Sequence, residues 1–325
     1  MKISYIMPRY NESEGVVARA LTSFDMQQMV KFDDFNIIIV DDHSKRRLSE
    51  SFLNRFKNIH IEYFYLDRNV GPSGARQVGI NNSRSDYIGF CDADDMLFDN
   101  VSVANMLQLT EKNPDIIITC GFEEQEHDGR PFLIRKGNDM IFMHGKAIRR
   151  EFLMNNGIAF DESLRVHEDS NILSKCFAMT DNIVNSDITT YIWKNNKNSI
   201  TRRNNSSYTS DGLAEYVHAM ELSLQYIKEN ASEDTLRLRV SGLVAYIYGV
   251  LNARYFDKSY TEDVEKITSE VVSKYIKEIQ EAPYGYWIEA MRIHSVDIFN
   301  AQISAKETLT QFINRMYQMK QEKNN

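Results

Sequence analysis

The chain has 325 residues, of which 42% are hydrophobic and 26% are charged, and these values predict a globular protein larger than one average domain. Its net charge of -8, from 38 basic and 46 acidic residues, disfavours nucleic-acid binding by bulk electrostatics. The three widely spaced cysteines fit neither a disulfide framework nor a zinc cluster, and no apolar run approaches the roughly 20 residues of a membrane helix. We therefore expect reduced thiols and a cytoplasmic location, with peripheral attachment to a membrane as a variant.

The first hundred residues alternate between strand-like and helix-like patterns. Short apolar runs predict strands at residues 3–7, 36–40, 59–66 and 87–91. Helices are predicted between them, at residues 16–29, 48–56 and 71–82. This alternation predicts a mostly parallel sheet with helices on both faces. Because crossovers are right-handed, the carboxyl ends of the strands then share one edge, where ligands of open α/β sheets bind.

The pattern is mixed from residue 116 to 191 and becomes helical after residue 203. Strands are predicted at residues 116–119, 132–135, 141–144 and 189–193, and a helix at residues 168–177. Later helices are predicted near residues 213–227, 236–251, 264–279 and 298–316. We therefore divide the chain into an α/β domain at residues 1–204 and a helical domain at residues 205–325. Three roles are open for the helical domain: binding of a ligand, formation of homo-oligomers, or stabilisation of the sheet by packing alone.

Polar residues follow each of the first four predicted strands. They are Pro8 to Glu12 after the first strand, Asp41 and Asp42 after the second, Asn69 and Gly71 after the third, and Asp92, Asp94 and Asp95 after the fourth. Because the four strand ends are expected at one edge, these clusters together indicate a ligand site there.

The segment Asp92-Ala93-Asp94-Asp95 places carboxylates at a strand end. Carboxylates that converge at a turn repel one another unless a cation compensates their charge. Oxygen ligands suit Mg²⁺ or Mn²⁺, which can bridge the oxygens of a diphosphate. The alternative interpretation is a solvated acidic turn or a helix N-cap, so this segment alone does not decide between them.

Two further strand ends offer groups that can contact a nucleotide. Asp42 can accept from a base imide or a ribose hydroxyl, although an acid in this position can also cap the following helix. The glycines after Asn69 allow close approach of a ligand to a helix N-terminus, and Arg76 lies one turn into that helix. A tight turn is the alternative explanation for the glycines.

The pair Glu168-Asp169 opens a predicted helix. Acids in a first helical turn are favoured by the helix dipole, which is the simpler explanation. The functional alternative is a general base that takes a proton from an attacking hydroxyl.

Four segments occur in the order and spacing of one enzyme family. They are Ile6-Met7-Pro8-Arg9-Tyr10-Asn11-Glu12, Ile38-Ile39-Val40-Asp41-Asp42-His43-Ser44, Asn69-Val70-Gly71 with Ala75-Arg76-Gln77-Val78-Gly79-Ile80, and Phe90-Cys91-Asp92-Ala93-Asp94-Asp95. Together they resemble glycosyltransferase family 2, the inverting enzymes with the GT-A fold, over roughly residues 1–200. The resemblance implies a Rossmann-type mixed sheet flanked by helices, with the C-terminal all-helical part as an appendage. Position 43 is His where the family usually has Gly, and position 77 is Gln where Asn is usual.

The resemblance also implies roles for individual residues in binding a nucleotide sugar. Pro8 and Tyr10 would flank the base, Glu12 would contact the ribose, and Asp42, Asn69 and Arg76 would read the base. Asp92 would lie near the ribose and the metal, Asp94 would ligate Mn²⁺ or Mg²⁺, and Asp95 would contact the donor sugar. Asp169 would be the base beside Glu168, and His144 and Lys146 would line the donor site together with Arg149 and Arg150. A segment at residues 191–201 would close over the diphosphate, with Lys197 or Arg202 supplying positive charge.

We therefore expect a metal-dependent inverting glycosyltransferase that uses a nucleoside-diphosphate sugar, with a UDP-sugar as the donor that the resemblance implies. The acceptor is left open between a glycan or cell-surface polysaccharide, a cell-wall polymer, a protein and a modified DNA base. The helical domain would bind this acceptor or form homo-oligomers. The alternatives are a nucleotidyltransferase and a non-catalytic binder of sugar or nucleotide with the same fold.

Overall fold

The computed structural model describes residues 1–128, 130–136, 142–196, 208–253, 255–290 and 307–322. The chain folds into two compact units, Met1–Asn196 and Lys197–Asn325. The predicted domain boundary after residue 204 falls within residues 197–207, which lie outside the described part of the chain. Within the described part, no helix is both long enough and apolar enough to cross a membrane.

The first unit is built on one mixed sheet. Its strands are β1 (Ile3–Arg9), β2 (Phe35–Asp41), β3 (His60–Tyr65), β4 (Tyr87–Phe90), β5 (Met96–Leu97), β6 (Ile116–His127), β7 (Arg130–Lys136), β8 (Lys146–Arg149) and β9 (Ile183–Trp193). Their order is β3-β2-β1-β4-β8-β6-β9-β5, and β7 pairs with β6. Strands β1 to β4 are parallel, whereas β8 is antiparallel to β4 and β6. The polar segments after β1, β2, β3 and β4 therefore leave the sheet at one edge.

Helices cover both faces of this sheet. They are α1 (Glu14–Asp25), α2 (Glu50–Leu53), α3 (Gly71–Asn82), α4 (Ser102–Thr110), α5 (Arg150–Asn155) and α6 (Glu168–Met179). The larger apolar core lies on the face that packs α1 and α4 against β1 and β2. Helix α3 packs on the other face through Ala75, which joins Ile38 and Val40 in a smaller core. Gly79 permits this close packing, because a Cβ there would lie 2.5 Å from Cγ2 of Ile6.

The second unit is helical in its described part. Its helices are α7 (Tyr208–Asp211), α8 (Leu213–Asn230), α9 (Glu233–Asn252), α10 (Thr261–Lys274), α11 (Ile276–Glu281) and α12 (Leu309–Glu322), and residues 284–290 are also helical. Their apolar residues, such as Val217, Val240 and Val271, are buried at helical spacing. The third predicted helix is interrupted at Tyr275, which has φ -113° and ψ 23° and separates α10 from α11. Residues 291–306, which include the start of the fourth predicted helix, lie outside the described part.

The fold class expected from the sequence is confirmed, but several element boundaries were wrong. The strand predicted at residues 141–144 is absent from residues 142–144, and β8 begins two residues later, at Lys146. Gly145 has φ +70° and turns the chain at this point, so the strand starts only after it. The helix predicted at residues 48–56 is only the single turn α2. Strands β6 and β9 are longer than expected, since their outer ends pair beyond the apolar runs.

Candidate active site

A buried ion pair joins the carboxyl ends of β1 and β2. The guanidinium of Arg9 contacts the carboxylate of Asp41, and both side chains are buried. Arg9 also donates from Nε and Nη2 to the carbonyl of Glu12, at 3.1 and 2.7 Å, and Tyr63 donates to Oδ2 of Asp41 at 2.6 Å. These contacts fix the segment after β1 and leave Tyr10 52% exposed, so its ring is accessible to a ligand.

Glu12 faces the acidic turn after β4. Its Oε2 accepts from the backbone N–H of Tyr10 at 2.6 Å. Burial raises the pKa of Glu12 to about 7, and the negative charge of Asp94 adds to this shift. The predicted ribose contact thus lies near the predicted metal ligand, as one nucleotide sugar would require.

Asp42 orders the loop between β3 and α3. Its carboxylate oxygens accept from the backbone N–H groups of Val70 and Gly71, at 2.6 and 2.8 Å. Asn69 in turn donates from Nδ2 to the carbonyl of Asp42 at 3.2 Å. The structure brings Asp42 and Asn69 together as expected. Because each carboxylate oxygen has a second lone pair, contact of Asp42 with a base stays a prediction.

Asp95 supports the acidic turn from inside the protein. It is 2% exposed, and its two oxygens accept from the hydroxyl of Tyr191 at 2.7 Å and from the backbone N–H of Lys194 at 2.8 Å. Burial, followed by the charges of Asp92 and Asp94, raises the pKa of Asp95 well above its usual range. Its position ties the turn to β9, and the predicted contact with a donor sugar stays a prediction.

Asp92 and Asp94 are the two acids of this turn that can meet a cation. The side chain of Asp92 is 43% exposed, and Asp94 accepts from Nδ2 of Asn196 at 2.7 Å. Burial, followed by the negative charge of Asp92, raises the pKa of Asp94 above its usual value. A divalent cation would relieve this repulsion.

The number of acids at this turn also suits a magnesium or manganese ion. Among the described residues, no group of three or more His, Cys, Asp or Glu side chains is arranged to hold a metal. Mg²⁺ commonly takes one or two carboxylates from the protein and completes its shell with substrate phosphates and water. Asp92 and Asp94 therefore fit an ion that arrives with a diphosphate.

Arg76 links this turn to helix α6. Its Nη1 donates to Oε1 of Glu168 at 2.6 Å, and its Nη2 donates to Oδ1 of Asp92 at 2.8 Å. The arginine is 6% exposed, so both contacts are shielded from water on its side. The structure thus places Arg76 between two acids, and the contact with the nucleotide base that the resemblance implies for Arg76 stays a prediction.

Asp169 follows Glu168 in the first turn of α6. The helix begins after His167, whose φ of 59° turns the chain into the helix. Oδ1 of Asp169 accepts from the backbone N–H of Ser170 at 3.1 Å. Burial, followed by the negative charge of Glu168, raises the pKa of Asp169 to about 7. A carboxylate with this pKa is suited to accept a proton near neutral pH.

The segment around β8 reaches the site at one end only. His144 stacks on the ring of Tyr191 with centroids 5.1 Å apart, beside the acidic turn. Lys146 is buried and donates from Nζ to the carbonyl of Phe142. Arg149 pairs with Tyr87 at the start of β4, which is the opposite edge of the sheet from Asp92. The basic pair Arg149 and Arg150 therefore lies away from the acidic turn.

Several supporting residues were missed by the sequence analysis. Arg165 donates from Nη1 to Oδ1 of Asn69 at 3.1 Å, and Asn196 contacts Asp94. These partners are 96 and 102 residues apart in sequence, so no local pattern could have paired them. The predicted diphosphate loop is described only to Asn196, and Lys197 to Thr201 with Arg202 lie outside the described residues.

Comparison with known proteins gives relatives for part of this chain. An uncharacterized glycosyltransferase of Bacillus subtilis, EpsJ, is 29% identical over 226 residues, which are 61% of this chain and 62% of the relative. The poly(ribitol-phosphate) beta-N-acetylglucosaminyltransferase TarP of Staphylococcus aureus is 29% identical over 140 residues, which are 42% of each chain. The chain thus spans less than two thirds of the length of these relatives.

A solved structure and a family model complete the comparison. The S. aureus protein TarS, residues 1–349 in complex with UDP-GlcNAc, superposes with a TM-score of 0.66 at 18% identity, over 94% of this chain and 93% of that one. This likeness shows the fold. The model of glycosyl transferase family 2 matches residues 4–177, more than half of the 325 residues. The matched region contains the acidic turn, Arg76 and the Glu168-Asp169 pair, and the chain therefore belongs to glycosyl transferase family 2.

Proposed function

We propose that this chain transfers a sugar from a nucleoside-diphosphate donor to an acceptor hydroxyl, with inversion at the anomeric carbon. The observation that carries the proposal is the link through Arg76, which holds the turn of Asp92 beside Glu168 at the carboxyl edge of the sheet. The turn that would bind the cation then lies near the carboxyl of Asp169, whose pKa is about 7. Those two groups are what a single displacement at a sugar phosphate needs.

The donor in this proposal is a UDP-sugar. The exposed ring of Tyr10 offers a stacking surface for the base, and Asp42 and Asn69 lie at the adjacent strand ends. The similar fold of TarS is that of a protein in complex with UDP-GlcNAc, and TarP is named as an N-acetylglucosaminyltransferase of poly(ribitol-phosphate). The name of TarP supports a polymer that carries hydroxyl groups as the acceptor, and we propose a cell-surface polysaccharide.

Asp94 and Asp92 would hold the Mn²⁺ or Mg²⁺ ion. When bound, such an ion stabilises the negative charge that develops on the departing nucleoside diphosphate. Other residues support these two ligands. Asp95 and Tyr191 hold the acidic turn in place, and Asn196 orients the carboxylate of Asp94.

Asp169 is the base in this mechanism. Its carboxylate takes the proton from the acceptor hydroxyl as the acceptor oxygen forms its bond to the anomeric carbon. The bond from that carbon to the diphosphate oxygen breaks in the same displacement, and the nucleoside diphosphate leaves with the electron pair. One displacement inverts the configuration, and Glu168 stays paired with Arg76 throughout.

A donor panel tests this proposal. The protein is incubated with UDP-, GDP- and dTDP-sugars, with Mn²⁺ or with a chelator, and the release of nucleoside diphosphate is measured. We expect release from a UDP-sugar that requires the ion and that Asp94→Ala abolishes, while Asp86→Asn, an exposed acid near the opposite edge, keeps it. Failure of every donor to bind, measured by calorimetry with Mn²⁺ present, would overturn the proposal.

A further inference from the structure

Arg165 contacts the loop between β3 and α3 from the chain segment that precedes α6. Its Nη1 donates to Oδ1 of Asn69 at 3.1 Å, across 96 residues of sequence. Its side chain also lies against Gly71, because a Cβ at that position would approach Cδ of Arg165 to 2.9 Å. The guanidinium therefore rests on the loop that the family resemblance places beside the nucleotide base.

The position of Arg165 is set by its own segment. Leu164 is 5% exposed, and its backbone N–H donates to the carbonyl of Asp161 at 3.1 Å, which closes a turn. Phe160 is buried as well, and its backbone N–H donates to Oε1 of Gln77 on α3 at 2.9 Å. These two residues anchor the segment, and the exposed side chain of Arg165 extends from it over the loop.

Two contacts fix the direction in which the amide of Asn69 faces. Arginine can only donate, so the atom of Asn69 that contacts Arg165 is the amide oxygen. The backbone carbonyl of Asp42 can only accept, so the atom that lies 3.2 Å from it is the amide nitrogen. A rotated amide would set a donor against the guanidinium and an oxygen against that carbonyl. The amide nitrogen carries a second hydrogen, which the exposed position of Asn69 leaves accessible to a ligand.

The carboxylate of Asp42 lies beside this amide. It accepts from the backbone N–H groups of Val70 and Gly71, at 2.6 and 2.8 Å. Burial raises the pKa of Asp42, whereas these two bonds and the positive charge of Arg165 oppose the rise. Arg165 thus favours an ionised Asp42, which can only accept, next to an amide that presents a donor.

An acceptor beside a donor matches one class of nucleotide base. Uracil presents a ring N–H beside a carbonyl oxygen, so the N–H can bind Asp42 while the carbonyl binds the amide of Asn69. Cytosine presents a bare ring nitrogen beside an amino group, which reverses both roles. A donor of the protein that faces an amino group is left unpaired, and such a loss discriminates between ligands.

We propose that Arg165 is a positioning residue that selects a uracil nucleotide by holding the amide of Asn69 with its N–H toward the base. The inference rests on the proposed function, because it takes the donor to be a UDP-sugar. It adds a residue from outside the strand-end segments. It also names the feature of the base that is selected, which is a carbonyl beside a ring N–H.

The test measures the affinities of UDP and CDP by calorimetry with Mn²⁺ present and takes their ratio. Both ligands carry the same ribose and diphosphate, so a general loss of positive charge affects both alike. Arg165→Met frees the amide of Asn69, and we expect the preference for UDP over CDP to fall about tenfold. Arg165→Lys keeps a donor for the amide oxygen and should retain most of the preference. The matched control is Arg68→Met, which removes an exposed arginine next to Asn69 in sequence and keeps the wild-type ratio.

A second background separates positioning of Asn69 from direct contact of Arg165 with the base. Asn69→Ala removes the amide, so the further change Arg165→Met should leave the ratio of UDP to CDP affinity as it is in Asn69→Ala. A fall in the ratio that persists at full size in the Asn69→Ala background would overturn the proposal, because Arg165 would then read the base itself. A wild-type ratio in a folded Arg165→Met protein would overturn it as well.

Failure of the proposed function gives a different result. A wild type that binds no donor of the panel described above overturns the proposed function and this inference with it. A wild type that binds a donor but prefers UDP to CDP by less than about tenfold overturns this inference alone.

Discussion

Tyr191 donates its hydroxyl hydrogen to Oδ2 of Asp95 at 2.7 Å and accepts from the backbone N–H of Asp92 at 3.2 Å. One phenol on β9 therefore supports both ends of the acidic turn that follows β4. Both Tyr191 and Asp95 are buried, each with 2% of its surface exposed. Their contribution is to hold Asp92 and Asp94 in position.

Removal of this hydroxyl should weaken the metal site. Tyr191→Phe leaves an oxygen of the buried Asp95 carboxyl without its donor, which costs about 1–3 kcal/mol of the free energy of unfolding. Residues that support metal ligands affect metal affinity by about 10–100-fold, so we expect at least a tenfold higher Mn²⁺ concentration for half-maximal activity. The control is Tyr87→Phe, which removes a hydroxyl bonded to the carbonyl of Pro114 at the other end of β4. Equal Mn²⁺ requirements in both variants would refute this role of Tyr191.

The pH dependence of the reaction should report Asp169. Because burial and Glu168 raise its pKa to about 7, the base is protonated and inactive at lower pH. We expect kcat/KM to rise as the pH increases from 6 to 8, with a midpoint near 7. A rate that is flat over this range in a steady-state assay would argue against Asp169 as the base.

The raised pKa of Asp169 also predicts how the free energy of unfolding depends on pH. The folded protein binds a proton at Asp169 more tightly than the unfolded chain, in which the pKa of Asp is about 3.9. Its stability should therefore fall as the pH rises from about 4 to about 7. Asp169→Asn removes this contribution, so urea unfolding at pH 8 should show the variant at least as stable as the wild type. A clear loss of stability in this variant at pH 8 would contradict the raised pKa of the buried Asp169 carboxyl.

The ion pair of Arg9 and Asp41 should matter more for stability than the more exposed pair of Lys2 and Asp34 at the opposite ends of the same two strands. Arg9→Met leaves Asp41 buried without its counter-charge, and such losses are about 3–5 kcal/mol. The comparison is Lys2→Met, which removes an exposed partner of Asp34 and should cost about 0–1 kcal/mol. Chemical unfolding of the two variants checks the difference, and equal losses would show that the pair is not the support of this strand end.

Gly71 allows Arg165 to lie across the start of α3. Its φ is +81°, and a Cβ at this position would overlap the side chain of Arg165. Gly157 has a similar φ of +60° but nothing within 4 Å of its Cβ position. Gly157→Ala should cost about 1–2 kcal/mol from the backbone alone, and Gly71→Ala should cost more and reduce donor affinity. Equal changes of unfolding free energy and of donor affinity in the two variants would show that the side chain of Arg165 moves away from a Cβ at position 71 without cost.

The strand ends were predictable because each is a local pattern of apolar residues followed by polar ones. The different exposure of Asp92, Asp94 and Asp95 was not predictable from the sequence. The burial of Asp95 depends on Tyr191 in β9, about 100 residues later. The family resemblance implied that Arg76 contacts the nucleotide base. Only the fold shows that Glu168 lies within reach of its guanidinium. The start of β8 depends on the turn at Gly145, whose carbonyl accepts from the backbone N–H of Thr119 at 2.8 Å. Such long-range pairs carry no local signal.

The most direct test of the central claim compares donor binding with turnover in the wild type and in Asp169→Asn. With Mn²⁺ and the UDP-sugar selected by the donor panel, calorimetry should show that both proteins bind the donor equally. Sugar transfer to the acceptor should be at least about 100-fold slower in the variant, because general bases contribute about 10²–10⁴-fold. Transfer at the wild-type rate by a folded Asp169→Asn protein would contradict the account.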